Sequence, residues 1–259
     1  MNRAERKRSN SFTCSFPLLN LKLTVMNVLI CLGLLLFGAL LSRPWKPGLV
    51  FVARLAVLLF AVNCIIAASY WVYFFFGVKN TTVLHVVTFE LAWLGRLGYL
   101  VYGYLLGCLL FREGYPHRVF SRVLWAASLS TANVFFVATA GKSMNMSYMI
   151  GFFHQSGYAV WFLYFIMAAE TAGGIGILLH FRLRTGIPAV AGLMVIMLGA
   201  VYTHWHNGDP FSDSYAAVVQ LMGLSALLAL FLRVRLLGRN TIGNGYIYET
   251  DPAYAEELP

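Results

Sequence analysis

Residues 158–209 read YAVWFLYFIMAAETAGGIGILLHFRLRTGIPAVAGLMVIMLGAVYTHWHNGD. An apolar run from Ala159 to Leu179 carries Glu170 in its middle, and Gly173, Gly174 and Gly176 follow at once. A short basic turn leads into a second apolar run, which ends in His204-Trp205-His206-Asn207-Gly208-Asp209. Runs of this length span the roughly 30 Å of a bilayer's hydrocarbon core as helices. A carboxylate inside such a helix is costly, so it is a functional-site hypothesis by default.

Composition extends this reading to the whole chain. Of 259 residues, 59% are hydrophobic and 11% charged, where a soluble domain carries roughly a quarter charged. Mean hydropathy is +0.71. The chain reads as an all-α, polytopic transmembrane bundle in contact with the lipid bilayer. Its net charge of +9 suits short loops and anionic lipid, so no nucleic-acid partner is expected. Cys14, Cys31, Cys64 and Cys108 form no CxxC pair, which argues against a thiol-redox enzyme. The basic start and first apolar run resemble a signal peptide in outline. No small-residue cleavage site stands out, and the run reads as a retained helix.

About seven spans are expected, near 23–41, 50–76, 89–111, 123–140, 158–179, 187–204 and 215–237. They divide the chain into a basic tail (1–22), a three-helix membrane segment (23–116), a four-helix bundle (117–238) and a polar tail (239–259). Arg43, Lys46, Arg112, Arg118, Arg182, Arg184 and Arg233 fall on one side, which the positive-inside rule makes cytoplasmic together with the C-terminus. The basic N-terminal group objects to this orientation. His85, Glu90, His154, His204, His206, Asp209 and Asp213 then lie at or near the outer ends.

Glu170 lies about 12 residues into its helix, on the order of 18 Å from the outer end. It must be neutralised, paired or facing a polar cavity. It either handles protons or anchors a ligand, or it locks helices together through Ser128, Thr131 or Asn133. Arg96 is another candidate partner if the third and fifth spans touch. The glycines allow close helix approach, as does Gly103-x-x-x-Gly107. His204 and His206 point roughly 200° apart on a helix, so one metal takes both only if the backbone has left helical geometry. Asn207-Gly208-Asp209-Pro210 is a turn signal that allows this, with His154 and Asp209 as further ligands. A proton relay or a polar contact to a quinone or lipid headgroup is the other functional reading. Glu90 and Arg96 are six residues apart, so each needs its own partner.

Gly141-Lys142, then Phe152-Phe153-His154-Gln155-Ser156-Gly157-Tyr158, then Glu170-Thr171-Ala172-Gly173-Gly174, then Met197-Leu198-Gly199-Ala200 with Thr203-His204 and Gly208-Asp209, occur in an order that resembles the DoxX-like family of four-helix membrane proteins. The resemblance covers about residues 121–236. It implies a four-helix bundle, with Gly141-Lys142 ending its first helix. Members of that family are linked to thiosulfate:quinone oxidoreduction, to oxidative-stress complexes and to membrane-protein assembly, so it fixes no activity.

Two functional expectations result. The first is a membrane redox accessory protein, a quinone-linked oxidoreductase subunit. It would bind a quinone-like or small amphipathic ligand opening to the outer face of a bacterial inner membrane. Glu170 and His204 would be its catalytic pair. Lys142, His154, His206, Asp209, Glu90 and Arg96 would contact the ligand, with Lys142 drawing in an anion or headgroup. No metal is assigned. The second is a non-catalytic structural or assembly subunit among other membrane proteins. A proton-coupled transporter ranks third, because clear inverted repeats are missing.

Overall fold

A computed structural model describes residues 17–42, 48–76, 96–111 and 117–243. Among them every regular element is helical: α1 (Pro17–Leu41), α2 (Gly48–Phe76), α3 (Leu97–Phe111), α4 (His117–Met144), α5 (Met146–Gln155), α6 (Val160–Leu178), α7 (His180–Leu183), α8 (Gly186–Asn207) and α9 (Phe211–Gly243). Helices follow from the solvent. Hydrocarbon offers no partner to a backbone N–H or C=O, so each span must satisfy its own. Segments Phe51–Tyr70, Val123–Met144, Val160–Leu178, Gly186–Asn207 and Asp213–Val234 are long and apolar enough to cross a membrane. Among the described residues, Val25–Leu41 of α1 and Leu97–Phe111 of α3 form shorter apolar stretches. The protein is therefore a multi-pass integral membrane protein. Large apolar side chains such as Leu36, Leu58, Phe165, Val195 and Leu198 point outward, where lipid covers them. Residues 1–16 and 244–259 of the tails, together with His85 and Glu90, lie outside the described residues.

The helix α3 is the central element. Tyr99 to Leu105 and Gly107 to Leu109 are buried, and α3 packs on α1, α9, α2 and α4. Further contacts run α2 on α4, α4 on α6, α6 on α8, and α8 on α9. One apolar core runs from Val52 through Tyr104, Phe135, Ile177 and Leu193 to Phe231. The N-terminal helices and the C-terminal bundle thus share a core, although the sequence divides them near residue 117.

Two sets of glycines set the closest approaches. A Cβ at Gly38 would run into the Leu100 carbonyl oxygen, and one at Gly103 into that of Leu35. The Gly103-x-x-x-Gly107 spacing is thus the α1–α3 contact. On α6, Gly174 lies against Phe136 of α4, while Gly173 and Gly176 lie against Leu193 and Ala189 of α8.

One element was not foreseen. Residues 146–155, expected as connecting chain, form α5. Its Phe153 packs with Leu163 and Met167 of α6. That burial makes a helix the cheapest way to satisfy the backbone there. The Asn145 backbone (φ −110°, ψ 34°) breaks α4 from α5.

Candidate functional site

Glu170 is 1% exposed in the middle of α6. The Lys142 ammonium donates to both of its oxygens, at 2.7 Å each. Thr139 Oγ1 donates to Oε2 at 3.4 Å. Thr171 Oγ1 donates to the Met167 carbonyl at 2.9 Å and approaches Thr139 Oγ1 at 3.5 Å. Thr139 and Lys142 are three residues apart, so they share one face of α4. Gly174 brings that face close to α6. The result is a polar stitch between two apolar helices, with the carboxylate enclosed and the lysine side chain 21% exposed.

This corrects the expected partners of Glu170. The helix α4 ends at Met144, with Gly141 and Lys142 in its last turn, as expected. The lysine stem reaches toward Glu170 and keeps one flank accessible. Ser128 and Thr131 turn to other groups. Ser128 donates to the Leu124 carbonyl, and Thr131 bonds the Ala127 carbonyl and the Tyr102 hydroxyl. The Arg96 guanidinium does not meet Glu170. Arg96 sits just before α3 and lines a separate cavity.

The second cluster forms where α5, α6 and α8 end together. His204 Nδ1 lies 2.8 Å from Asp209 Oδ2, and its ring lies 5.2 Å from that of Phe152. Tyr158 OH and Thr203 Oγ1 are 3.0 Å apart. Asn207 Nδ2 donates to Ser156 Oγ at 2.8 Å. The turn is a glycine cap: Gly208 has φ +70°, and the Asp209 and Gly208 N–H groups donate to the His204 and Trp205 carbonyls. This left-handed step folds Asp209 back onto His204.

His206 is exposed and stacks on Tyr202, and His154 is exposed on α5. The helix α8 keeps its geometry through Asn207, so the two α8 histidines diverge. Among the described residues, no three His, Cys, Asp or Glu side chains gather to hold a metal. Glu170 is ten residues inward from the start of α6, about 15 Å, and it shares no hydrogen bond with the His204 cluster. Thr139 was missed from sequence, its signal being the i, i+3 spacing to Lys142. Thr171, Tyr158, Thr203 and Ser156 were read only as residues of the family resemblance, without a role.

The DoxX-like family model matches residues 126–230. The chain therefore carries a DoxX-like segment, from within α4 to within α9, and α1 to α3 lie before it. The match covers under half of the chain. Comparison with curated proteins and with solved structures found no match.

Proposed function

We propose that this membrane protein is an accessory redox subunit that receives a quinone-like or other small amphipathic ligand. The ligand's polar head would reach the Lys142–Glu170 pair, and the His204–Asp209 cluster would form the entrance. The observation that carries this is the asymmetry of the pair. Glu170 is enclosed, whereas Lys142 keeps an accessible flank. A carbonyl or anionic head would meet the ammonium first and would compete with Glu170 for its donors. Glu170 would then supply the compensating carboxylate, and His204 would exchange protons at the rim. Orientation with this rim outward, and residence in a bacterial inner membrane with the C-terminus cytoplasmic, belong to the same proposal. The division of the chain near residue 117 into an N-terminal membrane segment and a four-helix functional unit does too.

The test is a titration of a decyl-tailed benzoquinone into the protein in lipid nanodiscs, with empty discs subtracted. Lys142→Met should weaken binding by about tenfold or more, the scale of one lost charge-assisted hydrogen bond. Unchanged binding would remove Lys142 from the site.

A second reading has its own observation. Both Glu170 oxygens are already engaged by Lys142, so the pair alone suffices to hold α4 to α6. That favours a non-catalytic structural or assembly subunit. Stable partner proteins on gentle purification, with no quinone bound, would support it.

A further inference from the structure

A cavity of about 320 Å³ lies away from the Lys142–Glu170 pair. It is walled by α1, α2, α3, α4 and α9, so the N-terminal helices and the DoxX-like segment build it together. Its walls are largely apolar, with the rings of Tyr99, Tyr102 and Tyr215 among them, and Arg96, Thr131 and Gln220 add polar groups. Two lining side chains carry buried oxygens with no hydrogen-bond partner, Asn27 Oδ1 and Ser130 Oγ. Asn27 is only 8% exposed, within an apolar stretch of α1. The Tyr99 and Tyr102 hydroxyls are already engaged. Tyr99 donates to the Val219 carbonyl, and Tyr102 bonds Thr131 and the Ala127 carbonyl.

Buried polar atoms are nearly always paired, and an orphan costs roughly 1–3 kcal/mol. Two orphans beside one cavity call for an occupant. Water needs several polar partners per molecule, which the apolar part of this wall does not offer. A cavity of about 150 Å³ accepts one benzene ring, so this one is sized for two fused rings. Asn27 Oδ1 accepts only, so it needs a donor. A hydroxyl supplies one, and its oxygen can accept from Ser130.

We propose that this interhelical cavity is a binding site for a small aromatic alcohol of one or two rings. Its hydroxyl bonds Asn27 and Ser130, and its rings lie among the tyrosines. The site is distinct from the Lys142–Glu170 pair and does not depend on it.

The probe is 2-naphthol, with naphthalene as its counterpart lacking the hydroxyl. Both are titrated calorimetrically into the protein in lipid nanodiscs, with empty discs subtracted. 2-Naphthol should bind saturably and at least about fivefold tighter than naphthalene, the scale of one net hydrogen bond. Asn27→Leu combined with Ser130→Ala should erase that preference. Asn27→Leu keeps the branching of the side chain and fills part of the cavity, and Ser130→Ala only removes an atom, so the variant should fold, which its helical circular dichroism will show. Val134→Phe, which fills the cavity, should abolish binding of both probes. Lys142→Met should leave naphthol binding unchanged, which separates this site from the one proposed above. Absence of saturable binding would mean a water-filled or empty cavity and would overturn the proposal. So would equal affinity for the two probes, a preference that survives the double substitution, or a loss on Lys142→Met alone.

Discussion

The pairs α1–α3 and α4–α6 solve one problem by different means. Lipid is as apolar as the side chains, so helices in it gain little from burying apolar surface against each other. At α1–α3 the solution is contact. Gly38, Gly103 and Gly107 let backbone meet backbone, and dispersion does the rest. At α4–α6 glycine again permits approach, but the approach is used to bring Lys142 onto Glu170. The first pair is held by shape. The second holds a charge pair that costs desolvation to form, and that cost makes it the better candidate for function.

The contrast can be broken from either side. The largest effect should come from Glu170→Leu, which strands the Lys142 ammonium. Removing one partner of a buried pair costs about 3–5 kcal/mol. The one-fifth exposure of Lys142 lets it turn outward, so about 3 kcal/mol is expected in denaturant unfolding from detergent. Gly103→Leu should follow at about 2–3 kcal/mol, because its side chain would displace the Leu35 backbone. Gly98→Leu serves as its control, since a Cβ there meets nothing within 4 Å. Tyr158→Phe removes one interhelical hydrogen bond to Thr203. It should cost about 0.6 kcal/mol and leave the pair intact.

The smallest effect should be one of pH, at the opposite end of the bundle. His180 Nδ1 accepts from the Gly186 N–H at 3.0 Å, and the ring stacks on Phe231 at 3.9 Å. Burial holds this imidazole below its ordinary value of 6.5. The unfolded chain then binds the proton more readily than the folded one. Stability should be full above about pH 6.5 and should fall as pH drops below it. His180→Gln should flatten that slope in unfolding measured across pH.

The fold was largely legible because lipid leaves few choices. Apolar run lengths gave the helices of the C-terminal bundle, Glu170 marked itself by its cost, and the Asn207-Gly208-Asp209-Pro210 turn was written in its residue types. The alternation of His204 and His206 likewise forecast that they would diverge. What was hidden depends on reach and on distant packing. The pairing of Lys142 with Glu170 was hidden because hydropathy places the lysine Cα at a helix end and says nothing of where a long stem points. The helix α5 was hidden because its apolar face is short and makes sense only against α6. Arg96 and Asn27 face one cavity across 69 residues of chain, a juxtaposition that no local pattern encodes.

The pairing of Lys142 with Glu170 carries the account, and a double-mutant cycle tests it most directly. Unfolding free energies would be compared for the parent chain, Lys142→Met, Glu170→Leu and the double variant. The double variant should be more stable than Glu170→Leu alone, with a coupling energy of about 1.5 kcal/mol or more, within the range for residues in contact. Strictly additive losses would show that the two side chains do not interact, and would contradict the site as described.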